Sequence, residues 1–379
     1  MIAAIISEYN PFHNGHCYHI QKTREYGAEY IIALMSGSVV QRGDIAIFSA
    51  HERAVNAIKG GADLVLELPA QISLAPARDF ALGSVKILKR LGAVDLLSFG
   101  TEQPDIETLS GLSQTILENE MKIKSETATG KTYPQAVSSV IGDLSDVLSG
   151  QNNTLAVEYL RALGVLGSKI RPFAVKRTSL HDSKEPSGKY ASASYIRELL
   201  KNGESAEIYS ENLAAKESPA FIENAERAIL FKLSGMSLDD FLRLPYCGEL
   251  APRLYRASRR ACSLEKIYNA AKSRNFTLSK LRRAVISAAI GLKESDLFEP
   301  EFVRILALNS KGAKILRELE KCSEITLGGA LSKLYKLSPR AQRQAELTEL
   351  ASRLRSLGCP GKISDTSEFC KSPIFVDNE

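Results

Sequence analysis

Short apolar runs alternate with amphipathic stretches along the first two hundred residues. Ile2 to Ile6 is a continuous apolar run, far too short for a membrane span, and reads as a buried strand. Cys17 to Tyr26 follows with a helical pattern, and Tyr30 to Met35 is a second buried strand. Ser49-Ala50-His51-Glu52 reads as a capping box opening a helix to Lys59, which Gly60-Gly61 stops. Asp63 to Leu68 is a third strand closed by Pro69, Asp79 to Leu91 a helix, and Val94 to Phe99 a fourth strand. Ile170 to Lys176 adds a further strand after a helix that runs from the Gln151-Asn152-Asn153 entry through Leu163. Strand and helix in alternation with short links predict a parallel sheet flanked by helices. Right-handed crossovers then bring all the strand ends to one edge.

The pattern changes twice. Residues 104 to 150 are more polar and mostly helical, and Thr178 to Tyr190 is polar with few apolar residues, which reads as a mobile loop or lid. Gly130-Lys131-Thr132 resembles a phosphate-binding loop only superficially, since the upstream glycine and preceding buried strand are missing. From about residue 206 the strand–helix alternation stops, and Ala220–Leu233, Glu265–Ser273 and Leu281–Leu292 carry helical periodicity. Two units follow: 1–205, α/β, and 206–379, all-helical and basic, with a frayed tail expected after Gly358-Cys359-Pro360.

The 379 residues are enough for two domains. A net charge of +5 is mild, and its placement matters more. Between Arg253 and Arg283 stand Arg253, Arg256, Arg259, Arg260, Lys266, Lys272, Arg274, Lys280, Arg282 and Arg283 against Glu265 alone, with Tyr255, Tyr268 and Phe276 interleaved. Such a run suits phosphate neutralisation plus base stacking, and equally a solvated helix face. The six cysteines form no C-x-x-C pair, which argues against a structural zinc or a disulfide scaffold and fits a reducing compartment. No basic region precedes the opening apolar run and no later segment approaches a span, so a cytoplasmic protein without a membrane partner is expected.

The chemistry concentrates just after the first strand, in IAAIISEYNPFHNGHCYH, Ile2 to His19. A strand, a tight polar turn and a helix start make an anion site, because the first helical N–H groups lack partners and carry partial positive charge. Gly15 lets a ligand approach the backbone, and His13 and His16 can donate to phosphate oxygens. Alone, H-x-x-H reads as a cap and a surface group, or as a metal pair that His19 could join. The strand before it favours phosphate. Ser36 to Asp44 lies beyond its strand's carboxyl end, making Arg42 and Asp44 candidate substrate contacts, with a plain surface loop equally open. Ala191-Ser192-Ala193-Ser194-Tyr195-Ile196-Arg197 is a Ser-rich helix start with an arginine one turn inside, a second anion site.

H-x-G-H after a first strand resembles the signature of the nucleotidyltransferase branch of Rossmann-like proteins. SEYNPFHNGH, MSGSVVQRGD, GADLVLELP, LSFGTE, QNNTLAVEYL and SASYIR occur in one order, and together they resemble the bacterial tRNA(Met) cytidine acetate ligase family. The resemblance implies a Rossmann-like ATP-binding sheet and a tRNA-binding helical domain. It implies two steps: acetate attacks the α-phosphate of ATP, giving acetyl-adenylate and pyrophosphate, and the wobble cytidine of elongator tRNA(Met) takes the acetyl group as AMP leaves. By the same resemblance Ile6, Ser7, Glu8, Tyr9, Asn10, Pro11, Phe12, His13, Asn14, Gly15, His16, Cys17, Tyr18 and His19 line the ATP site, with Gly100, Asn152 and Arg177 as further contacts. Arg197 matches the S-x-x-x-R element that grips the triphosphate in related enzymes. His13 and His16 are expected to stabilise the transition state, Arg177 and Arg197 the outer phosphates, and Lys280, Arg282 and Arg283 to meet tRNA. Mg²⁺ is expected with ATP, held chiefly by phosphates, with no metal site of the protein's own. Two other readings stay open on the residues: an adenylyltransferase acting on a small metabolite, and an RNA-binding protein with a regulatory nucleotide site.

Overall fold

The structure, a computed structural model, describes residues 1–142, 147–148, 150–177, 186–210, 217–361 and 366–377. Strand side chains alternate between faces, and here both faces are dry. From β1 (Ile2–Ser7), Ala4 and Ile6 enter one hydrophobic layer while Ala3 and Ile5 enter the other. β2 (Tyr30–Ser36) divides the same way, with Ile32 and Leu34 on one side and Ile31, Ala33 and Met35 on the other. The remaining strands are the hairpin β3 (Val39–Val40) and β4 (Asp44–Ile45), then β5 (Leu64–Leu68), β6 (Leu96–Thr101), β7 (Arg171–Lys176), β8 (Phe302–Leu308), β9 (Thr326–Gly328) and β10 (Ile374–Phe375).

The main sheet runs β10-β8-β5-β2-β1-β6-β7, with β9 also pairing β8. The five strands β5, β2, β1, β6 and β7 are mutually parallel. Chain order therefore reverses between β1 and β6. That is the topological switch point, where open α/β sheets leave a crevice at the carboxyl ends of the strands. Helix α1 (Asn14–Glu25) starts directly above β1, and α2 (Ala50–Lys59) starts above the hairpin that follows β2.

Beyond residue 220 the chain is mainly helical and packs around Ile229, Leu250, Ile267, Leu281 and Val285, in a core that also takes in Val39, Ile45, Ala70 and Leu74 of the first unit. The helical expectation for 206–379 is corrected at β8. Phe302–Leu308 is an apolar run of buried-strand length that pairs antiparallel with β5 and returns the chain to the sheet. Arg304 in its middle broke the apolar signal, yet this side chain is 1 % exposed, held by Glu368 at 2.7 Å and facing Glu67 at 3.6 Å. The expected frayed tail is corrected by the same contact. Glu368 is buried, and Ile374 and Phe375 pair in parallel with β8. His51 is buried 3.7 Å from Glu368. Among the described residues no helix is long and apolar enough to cross a membrane.

Candidate active site

The turn from β1 to α1 is built on buried aromatic rings. Tyr9 and Phe12 are both buried and meet edge to face at 4.9 Å, and Tyr9 lies under His16 at 4.7 Å. Phe12 requires Gly60, where a Cβ would lie 2.2 Å from its ring. Asn10 is buried and accepts from the Ile47 N–H, fixing the turn to the chain that leads into α2.

Both motif histidines are oriented by the helix start itself. His13 is the N-cap, its Nδ1 accepting from the Gly15 N–H at 3.1 Å, while His16 Nδ1 accepts from the His13 N–H at 3.2 Å. The rings stack at 3.7 Å. A nitrogen that accepts a backbone hydrogen carries no proton, so each neutral ring is the tautomer with its proton on Nε2. Burial, then the charges of Arg177 and Arg197, push His13 down to about 3. Burial, followed by His13, Arg177 and His19, holds His16 well below the usual histidine range. Two neutral N–H donors and a helix N-terminus suit an anion without the cost of burying an extra charge.

These groups open onto a cleft of about 360 Å³ lined by His13, Gly15, His16, Tyr18, His19, Gly100, Val175, Lys176 and Arg177. It sits at the carboxyl ends of β1, β6 and β7. Gly100 lies beside Arg177, whose Cγ would be in ordinary contact, 3.5 Å, with a Cβ there. The segment 186–210 packs against the turn. Asn14 Nδ2 donates to the carbonyls of Lys189 and Ile208, Ser210 donates to the Phe12 carbonyl, and the rings of Tyr18 and Tyr190 meet at 6.3 Å. Residues 178–185 of the expected lid lie outside the described residues.

Not every expected residue reaches the cleft. Ile6 is a core residue, and Ser7, Glu8 and Pro11 lie in or below the turn. Cys17 packs against the layer that holds Tyr9 and Phe12. Asn152 donates to Glu102 at 2.6 Å. Its neighbour Asn153, not singled out from sequence, is the buried hub, accepting from the Glu102 and Gln103 N–H groups just after β6. Arg197 donates to the Asn10 carbonyl at 2.6 Å and to Ser194 at 3.1 Å, so it braces the turn, and its charge is felt at His13. The sequence reading also missed Arg53. Fully buried on α2, it donates to the carbonyls of Phe48, Glu8, Ser36 and Gly37, joining the ends of β1 and β2. A charged residue on the apolar stripe of Ala50, Ala54, Ala57 and Ile58 was the available signal.

The basic run divides by burial. Arg282 is exposed, whereas Arg283 is half-buried and donates to the Gln41 carbonyl at 3.2 Å, and Lys280 is half-buried over the Phe276 ring at 4.9 Å. The Arg283 guanidinium thus joins the helical unit to the Ser36–Asp44 loop. Arg253, Arg256, Arg260 and Lys266 are exposed and line a groove of about 800 Å³ between the helices Ala251–Ser258 and Leu264–Ala271.

Residues 1–368 match the model of the family described as HIGH Nucleotidyl Transferase. The chain belongs to that family. It is 34% identical over 353 residues to a tRNA(Met) cytidine acetate ligase of Thermoanaerobacter sp. (strain X514), covering 86% of this chain and 88% of the relative. The Thermotoga maritima TmcAL crystal structure in its apo form I superposes with a TM-score of 0.90 at 27% identity, covering all of both chains. The form of that enzyme bound with alpha-thio ATP superposes at 0.89 with 28% identity, again over both whole chains. The α/β architecture, including the strand that returns after the helices, is thus that of an ATP-analogue-binding relative.

Proposed function

We propose that this protein is an ATP-dependent ligase that activates acetate as acetyl-adenylate and transfers the acetyl group to the wobble cytidine of tRNA(Met), releasing pyrophosphate and AMP. The observation that carries the reading is the pair of neutral imidazoles with Nε2–H free to donate, above the α1 N-terminus and beside Arg177 at the switch point. Acetate is a weak nucleophile, so positioning matters more than deprotonation in the first step. His13 and His16 stabilise the charge that grows on the α-phosphoryl oxygens, and Arg177 and Lys176 meet the phosphates that leave. Gly100 leaves the β6 end open for the nucleoside. A divalent cation with ATP finds no carboxylate among the cleft's lining residues, so the phosphates themselves hold it. Among the described residues no group of three His, Cys, Asp or Glu side chains forms a metal site.

RNA phosphates meet the exposed cations Arg253, Arg256, Arg260 and Lys266 of the groove, with Arg282 nearby on the same helical unit. The curated relative's name supports tRNA(Met) as the RNA and acetate as the acid. The test is pyrophosphate release from ATP with and without acetate and tRNA, scoring labelled acetate in the RNA. Release that needs acetate, with label in the tRNA, is expected. Release indifferent to both would point to a metabolite adenylyltransferase, and no release to a binding protein.

A further inference from the structure

Three imidazoles line the cleft, and hydrogen-bond bookkeeping separates them. His13 and His16 have each spent Nδ1 as an acceptor of a backbone N–H, which leaves them only a donor at Nε2. His19, one turn further along α1, is arranged the other way round. Its Nε2 lies 2.9 Å from Ser98 Oγ, and Ser98 Oγ lies 2.7 Å from Thr23 Oγ1. Thr23 must donate its single hydroxyl proton to the His19 carbonyl at 2.9 Å, because a carbonyl can only accept. Ser98 must therefore donate to Thr23, and so it accepts from His19 Nε2–H. Ser98 and Thr23 are both fully buried. The proton of His19 is thus locked on the nitrogen that faces the core, leaving the lone pair on Nδ1 as the basic nitrogen this ring offers.

We propose that His19 is the proton acceptor of acyl transfer, taking at Nδ1 the proton lost by the attacking cytidine amine. The step rests on the ligase reading above. The amine nitrogen bonds to the acetyl carbonyl carbon, the carbon–oxygen bond to the adenylate phosphate breaks, and AMP leaves with that electron pair. One N–H proton passes to His19 Nδ1, which returns it to water after product release. The leaving phosphate gains a negative charge as the imidazole gains a positive one, so the two develop as a pair. Burial, then Arg177, holds the imidazole down to about 4, so His19 is neutral and able to accept a proton. Ser98 and Thr23 are positioning residues that fix the tautomer.

The experiment separates the two half-reactions in the full chain: acetate-dependent exchange of labelled pyrophosphate into ATP, and single-turnover transfer of labelled acetyl to tRNA. His19→Asn keeps a polar group near the Nδ1 position but no base. It is expected to slow transfer by at least about a hundredfold more than it slows exchange. It should also remove the rise of the transfer rate with pH that is expected on the acid limb of the wild-type profile. Ser98→Ala leaves the imidazole in place and frees its tautomer. It should slow transfer severalfold more than exchange and move the midpoint of that limb, and it decides the question if His19→Asn does not fold. Exchange and transfer falling in parallel, or an acid limb that survives in His19→Asn, would overturn the assignment. Absent acetate-dependent exchange in the wild type would instead overturn the ligase reading, a distinct failure.

Discussion

His13, His16 and His19 line one cleft from the start of one helix, yet they differ in which nitrogen each has already committed. Removing the His16 imidazole takes away one Nε2–H donor and the acceptor for the His13 N–H together. His16→Ala is therefore expected to lower acetate-dependent pyrophosphate release by about 10²–10³-fold, while tRNA retention on a filter is unchanged. Acidity tests the same burial. His13 and His19 stay neutral in the folded state down to about 3 and 4, and His51, desolvated beside Glu368, down to about 4. In the unfolded chain the same rings titrate near 6.5. Between these values the unfolded state binds more protons, so stability rises with pH across the window and is lost as pH falls below about 6.5, by ~1–2 kcal/mol per histidine at pH 5. Glu67 opposes this. Burial pushes its carboxyl up to about 6, so between its ordinary value and 6 the folded state binds the extra proton. Three histidines outweigh one carboxylate, and thermal melts should show Tm falling steadily from pH 7 to pH 5. A flat profile would contradict the burial of these rings.

At the scale of elements, the α/β half meets the helical unit at a docking contact that a strand-and-helix reading does not contain. Gly43, at φ +78° in the turn between β3 and β4, lies against the helix Leu278–Ile290, where a Cβ would stand 2.4 Å from the Arg283 nitrogen. Gly43→Ala thus meets both a backbone clash and left-handed strain, and should lower the unfolding free energy by about 2–4 kcal/mol in urea titrations. Arg282→Glu, on the exposed side of that helix, should leave melting and pyrophosphate release unchanged. It should weaken tRNA binding and make its log–log salt slope shallower by about one. The strands and helices of the first hundred residues were legible because both faces of a parallel sheet are apolar and the helices Asn14–Glu25 and Ala50–Lys59 carry side-chain caps at His13 and Ser49. The His13–His16 site was legible because its chemistry is local, a strand end and a helix start within a few residues. Arg53, Asn153 and the strand at Phe302 were not. Each depends on partners far along the chain, and a buried arginine on an apolar stripe looks from sequence like an interruption.

Across the whole molecule, buried charges link the last described segment to the turn between β1 and α1. Glu368 holds Arg304 at 2.7 Å, Arg304 faces Glu67 on β5, and Glu67 lies against Gly37, where a Cβ would stand 2.5 Å from its Oε1. The Gly37 carbonyl accepts from Arg53, which also holds the Glu8 carbonyl at 2.6 Å. The two ends of this series should behave differently. Glu368→Ala strands a buried guanidinium with a weaker partner, so it should cost about 3–5 kcal/mol of stability. It should leave pyrophosphate release per folded molecule near the wild-type rate, because Arg53 still braces the turn. Replacing both partners, Arg304→Met with Glu368→Leu, should recover much of that loss, since no lone charge remains buried. Arg53→Met leaves four backbone carbonyls without their donor and should cost ~3 kcal/mol or more. Unlike Glu368→Ala, it should also depress pyrophosphate release, since the Glu8 carbonyl belongs to the turn that carries His13. Melting curves paired with rates corrected for the folded fraction separate these outcomes. Equal rate losses in the two variants would mean that the turn carrying His13 depends on the whole charge series, rather than on Arg53 alone.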